Sequence, residues 1–194
     1  MDRKGNDTKK AYIATFTGKK FFLLEPSLED IDIIDIAHAL AMQCRWTGHC
    51  KYHYSVAQHS VYCSFLGPDK EAFDRLMHDT SEAYIADLSR PLKHYTEVGV
   101  VYRKREAIIQ KAIAERFGFS VVEPASVKIA DNLMLYAEKK QIMGYTFDES
   151  KDADDIVRTS AEEEAPIRIE RWSPEMAETM FLRRFEELYT GRLN

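Results

Sequence analysis

A chain of 194 residues, 45% hydrophobic and 30% charged, has the balance of a globular domain and is long enough to bury one core. A net charge of −5 and a pI near 5.7 argue against a protein that tracks a nucleic-acid backbone, and no apolar run approaches the roughly 18 residues of a membrane span. The N-terminal stretch "MDRKGNDTKKAYIATF" lacks the apolar centre of a signal peptide, and three cysteines, an odd number, suit reduced thiols better than a disulfide framework, so the cytoplasm is the expected compartment.

"YIATFTGKKFFLLEP" reads as a hairpin over about 12–24, two short strands around Thr17-Gly18-Lys19. Helical patterning dominates after it. Ile33, Ile36, Ala37, Leu40 and Ala41 form one apolar stripe that ends near Cys44. A second helix is expected from about Ser55 to Phe65, stopped by Gly67-Pro68. A third starts near Asp69 and carries Phe73, Leu76, Met77, Thr80 and Ala83 inward, until "ADLSRPLK" breaks it ahead of Pro91. A long helix then runs from about Glu97 to Phe117 with Gly118 as C-cap, and another from about Pro124 to Met143, closed by Gly144. Residues 148–164 hold eight acids against Lys151 and Arg158, a net of −6, and read as a solvated acidic loop that leaves the rest of the chain near neutrality. The last helix, about 174–190, opens on Ser173-Pro174-Glu175 and presents Ala177, Met180, Phe181, Phe185 and Leu188 on one side. The expected fold is mainly α, a single-domain helical bundle with a small N-terminal β-hairpin.

Within the third helix, "RLMHDTSEAYIADLSRPLKH" sets His78 beside Asp79, with Glu82 following and Asp87 beyond. Positions three and four apart share a helix face, so His78 and Glu82 are expected to stack. The second helix adds His59, and the helix starting near Pro124 adds Asp131 amid apolar neighbours. Two imidazoles and two carboxylates suit a divalent Mn, Fe, Co, Zn or Mg ion and leave positions open for water and a phosphate oxygen.

The order His59, His78-Asp79, Asp131 resembles the signature of the HD-domain metal-dependent phosphohydrolases. "CRWTGHCKYHYSVAQHS", "MHDTSEAYIADLSRPLK" and "VKIADNLMLYAEK" extend the likeness to the bacterial HD 5'-deoxynucleotidases and to the phage HD hydrolases that include dATP triphosphohydrolases. The resemblance runs from about Tyr12 to Met143. It implies that His59, His78, Asp79 and Asp131 hold the ion. Glu82 and Asp87 would then orient or deprotonate the attacking water and protonate the leaving 5'-oxygen. Arg45 would grip the phosphate and Trp46 would wall the sugar or base, with a homo-oligomer as the expected assembly. Arginine suits that task, because its planar fork donates twice to one phosphate.

Each of these residues also has a plainer reading. His59 taken singly is a core histidine, Glu82 a solvated-face acid, Asp87 a turn residue and Arg45 a surface ion-pair partner. Cys44, His49, Cys50 and His53 form a dense cluster that tempts a zinc assignment, but their spacing lacks the paired C-x2-C knuckle. Contact of His49 or His53 with phosphate or base is the better use of them.

The expected activity is hydrolysis of a free deoxynucleotide at the α-phosphorus, releasing the nucleoside. Arg90, Lys93 and His94, in the cation-rich "RPLKHYTEVGVVYRKRE", could face the β- and γ-phosphates, which points to a deoxynucleoside triphosphate such as dATP. A 5'-monophosphatase is the nearest alternative, and a non-catalytic nucleotide sensor a further one. A polynucleotide or a membrane is not an expected partner.

Overall fold

The computed structural model describes residues 11–143 and 167–190. It is a mainly helical bundle with one two-stranded antiparallel hairpin. The acidic run 148–164 and the expected cap at Gly144 lie outside the described residues. No helix among the described residues is long and apolar enough to cross a membrane.

Strands β1 (Tyr12–Ala14) and β2 (Lys20–Phe22) pair Tyr12 with Phe22, Ile13 with Phe21 and Ala14 with Lys20. Gly18 takes φ 86° in the turn, a conformation that a side chain would strain. Phe21 is fully buried and stacks on Tyr84. Thr17 donates through both its N–H and its hydroxyl to Asp35, so the turn is fastened to the first helix.

That helix, α1 (Ile33–Met42), packs against α2 (Val56–Ser64), and both lie against the C-terminal helix α8 (Pro174–Thr190). Every residue of α2 is buried, because α1, α3 (Ala72–Met77), α7 (Ala125–Gln141) and α8 all pack on it. A helix enclosed on all sides can find partners for its polar groups only within the protein, and here Ser60 Oγ and Gln58 Oε1 have no hydrogen-bond partner. Gln58 donates to the Glu170 carbonyl, and the Ser64 hydroxyl donates to the Val61 carbonyl.

The third helix departs from expectation. It ends at Met77, and residues 78–81 form a turn before the short α4 (Glu82–Ile85). The cause is a side chain from the long α6 (Glu97–Phe117). Gln110 donates to the Met77 carbonyl and accepts from the Ser81 N–H, so it replaces the backbone bond that would continue the helix. The Thr80 hydroxyl takes the same carbonyl. Pro91 does not lie in a plain break either. It sits in the first turn of α5 (Arg90–Tyr95), where the missing N–H costs nothing.

α5 packs closely on α6. A side chain at Gly99 would collide with the Lys93 and Leu92 carbonyls, so glycine is what lets Lys93 be held there. Thr96 caps α6 by accepting from the Gly99 N–H, and Gly118 ends it in the left-handed conformation. The Ser173 hydroxyl accepts from Met176 N–H at the start of α8, as its sequence anticipates.

Candidate functional site

Three neighbouring elements meet at one end of α2: the helix itself, the turn after α3, and α7. His59 is fully buried on α2. Its Nδ1–H donates to Glu138 Oε1 at 2.7 Å, which leaves Nε2 facing Asp131 Oδ1 at 3.5 Å and Asp79 Oδ2 at 3.8 Å. His78 is held in the same way, its Nδ1–H donating to the Arg75 carbonyl at 2.8 Å. His78 Nε2 is buried without a hydrogen-bond partner, although Asp79 Oδ2 lies 3.1 Å away. The two rings sit 5.3 Å apart between centroids. Fixing Nδ1 with an acceptor and leaving Nε2 free is the arrangement of a metal-ligating histidine. His59, Cys63 and His78 each offer a donor atom within 4.8 Å of the others, a group that could hold a metal ion.

The electrostatics match a pocket that favours positive charge. Burial opposes a charge on His78, but the Asp79 carboxylate outweighs it and lifts the imidazole to about 9. Burial and Arg45 oppose a charge on His59, yet Cys63, Glu138 and Asp131 raise it well above its usual range. Burial would raise Asp79 and Asp131, but the two imidazoles hold both carboxylates low. A proton and a divalent cation are alternative occupants of such a pocket.

Glu138 was not anticipated, and it organises the site. Besides His59 Nδ1 it accepts from Trp46 Nε1 at 2.9 Å and from Arg45 Nε and Nη2 at 3.3 Å. Arg45 also reaches Asp79 at 3.6 Å. Arg45 and Trp46 therefore stand beside the imidazoles, and the loop carrying them takes positive φ at Trp46 and Thr47. Such strain persists only where surroundings enforce it. Here Arg45 N–H donates to the Tyr54 carbonyl and Lys51 N–H to the Ile142 carbonyl. The available signal was spacing, since Glu138 follows Asp131 by seven residues, two turns along one face of α7.

The turn at 78–81 interrupts the continuous helix from which the stacking of His78 and Glu82 was expected. Glu82 reaches the same pocket from α4. Its Oε2 is buried without a partner, and burial, then the Asp79 and Asp87 carboxylates, push the acid well above its usual range against the pull of Arg45 and Lys93. Asp87 follows Ala86, whose φ 65° and ψ 156° lie in a region suited to glycine. Gln43, also unforeseen, secures the backbone of both acids: its amide donates to the Glu82 carbonyl and its oxygen accepts from Asp87 N–H. Burial raises Asp87 as well.

Lys93 points into this field but is paired with Glu106 Oε1 at 2.7 Å. Arg90 and His94 are exposed on α5. Burial, then the nearby cations Arg90, Lys93, Arg103 and Lys128, depress His94. Lys128 in turn donates to Asp131 Oδ2 at 2.8 Å.

The Cys/His cluster of residues 44–53 does not converge on a point among the described residues. Cys50 Sγ donates to the Arg45 carbonyl, and His53 Nε2 donates to the Ala41 carbonyl at 3.0 Å, which ties that ring to α1.

No protein-family model matches the chain. It is similar to the uncharacterized protein YfdR of Escherichia coli, 42% identical over 132 residues that cover 68% of this chain and 72% of that one. It is also similar to an uncharacterized protein of Rhodobacter capsulatus, 33% identical over 151 residues covering 71% and 76%.

Proposed function

The chain belongs to the family of the Escherichia coli protein YfdR, and from the site it carries we propose that it is an HD-type, metal-dependent phosphohydrolase of free deoxynucleotides that releases the nucleoside. The observation that carries this reading is the matched pair of buried imidazoles, each with Nδ1 fixed by an acceptor, flanked by Asp79 and Asp131. These four residues would hold the ion, and the partnerless Nε2 of His78 fits that use. A bound divalent ion supplies Lewis acidity, lowering the pKa of water from about 15.7 to about 7 and neutralising phosphoryl charge.

The remaining steps fall to side chains. Arg45, fixed by Glu138, presents its guanidinium to a phosphate beside the imidazoles. Trp46, fixed through its indole N–H, walls the sugar or base. Burial and the Asp79 and Asp87 carboxylates favour a protonated Glu82, which would deliver that proton from its carboxyl group to the leaving 5'-oxygen. Asp87 would accept the proton of the attacking water.

Exposed Arg90 and His94 on α5, with Lys93 on the same short helix, support a triphosphate substrate, with dATP as the leading candidate. A monophosphate is the second reading, favoured by the Lys93–Glu106 pair, which cancels one of the charges that a polyphosphate tail needs. Turnover assays with Mn, Co, Zn, Fe and Mg across all nucleotide mono- and triphosphates decide among them. Deoxyadenosine with intact triphosphate supports the first reading, and turnover of monophosphates alone supports the second. A product set of dAMP and pyrophosphate sinks the cleavage site, while saturable binding without turnover leaves a nucleotide sensor.

A further inference from the structure

Cys63 lies one helical turn after His59 on α2 and is 1% exposed. A thiol at that depth has an ordinary use as a small core residue. Its position relative to the imidazole is more specific. Cys63 Sγ sits 3.4 Å from His59 Nε2, the nitrogen that Glu138 leaves free, rather than against the nitrogen Glu138 occupies. That separation fits two adjacent ligands of one ion, whose nitrogen and sulfur bonds of about 2.0–2.3 Å span about 3.1 Å at a right angle and about 3.5 Å at a wider one. His78 supplies independent support, since its side chain is 6% exposed and its Nε2 has no hydrogen-bond partner, facing only the Asp79 carboxylate at 3.1 Å, while lying in the same three-residue donor group.

We propose that Cys63 is a thiolate ligand of the ion held by His59 and His78, making the site selective for thiophilic divalent ions such as zinc, cobalt or ferrous iron over magnesium. The inference rests on the metal-dependent reading above and adds a donor to it. Ligation breaks the S–H bond, the sulfur keeps the electron pair that it shares with the ion, and the proton leaves to water. A soft sulfur donor among imidazoles and carboxylates shifts preference towards borderline-soft ions, whereas oxygen donors alone suit magnesium or manganese. A buried thiolate bound to a cation is also shielded from oxidants, unlike an exposed one.

Cobalt(II) added to the full chain is the probe, read by its absorption spectrum and bound-metal stoichiometry. Cys44→Ser/Cys50→Ser leaves Cys63 as the sole cysteine of the chain, so this variant assigns a sulfur band without requiring Cys63 to be replaced. The expected result is a near-ultraviolet sulfur-to-cobalt charge-transfer band in the wild type and in that variant. Cys63→Ser should lose the band while binding cobalt at wild-type stoichiometry, and should lose the wild-type preference for cadmium over manganese in competition. Visible ligand-field bands with no charge-transfer band overturn the thiolate ligand and leave the imidazole–carboxylate site standing. A band that disappears in Cys44→Ser/Cys50→Ser moves the sulfur to the other cluster and also overturns it. A wild-type protein that binds no cobalt overturns the metal site itself, and this ligand with it.

Discussion

The chain gathers cysteine and histidine in two regions that differ in sequence and differ oppositely in space. Cys44, His49, Cys50 and His53 fall within ten residues, yet Cys50 Sγ is turned to the Arg45 carbonyl and His53 Nε2 to the Ala41 carbonyl, and no three of them form a metal-capable group among the described residues. His59 and His78 stand on different elements, yet their rings come within 5.3 Å between centroids. A ligand set needs lone pairs aimed at one point, and here buried α2 and a turn pinned by Gln110 aim the two rings. The fates of the polar atoms also differ. His53 Nε2 is spent on the Ala41 carbonyl, whereas His78 Nε2 is buried with no hydrogen-bond partner and faces the Asp79 carboxylate. Burial, then the neighbouring Cys44 and Glu138, push the Cys50 thiol up to about 12, which disfavours the thiolate that a metal requires.

The contrast breaks if metal follows the loop cluster. His78→Ala or Asp131→Ala should abolish most metal binding and activity, while His49→Ala and Cys44→Ala leave bound metal unchanged, as measured by elemental analysis after gel filtration. Retention of metal by His78→Ala together with loss in Cys44→Ala would reverse the assignment of the two regions.

A smaller effect separates holding the ion from using it. Glu82→Gln should keep metal stoichiometry and substrate affinity but lower turnover roughly hundred- to ten-thousandfold, the range for a lost general acid or base. Near-normal turnover at saturating substrate would remove Glu82 from the chemistry.

Glu138→Gln sharpens the comparison further, because it changes no atom that faces the ion. Loosening His59, Arg45 and Trp46 together should weaken metal binding roughly ten- to hundredfold, readable by competition with a chromogenic chelator. An unchanged affinity would reduce Glu138 to a packing residue.

On α5, Lys93→Ala should impair triphosphate hydrolysis more than monophosphate hydrolysis by about 1.5–3 kcal/mol, the range for a hydrogen bond to a charged group. Because Glu106 already neutralises Lys93, equal loss on both substrates would assign the lysine to positioning Glu106. Smallest is His53→Ala, expected to cost about 1 kcal/mol of stability in denaturant unfolding, without change in bound metal.

Local signals carried much of this protein. The turn glycine, the Gly118 cap and the Ser173 cap act within a few residues, so α6, α8 and the hairpin were legible from their sequences. His59, His78, Asp79 and Asp131 stood out because their ionisable groups lie in apolar surroundings. The turn after Met77 was not legible, because the competing donor and acceptor belong to Gln110, thirty-three residues away from the carbonyl it captures. Gln43, Glu106 and Glu138 were missed for the same reason. Each looks like an ordinary polar residue of its own segment until a distant partner makes it part of the site. By itself the sequence determined where α1, α2, α6, α7 and α8 run and which ionisable side chains they carry among apolar ones, since capping and apolar periodicity are short-range effects. Tertiary structure alone decided which nitrogen of each histidine faces the pocket and which thiol adjoins it, because both depend on hydrogen-bond acceptors and packing contacts brought together only by the folded chain.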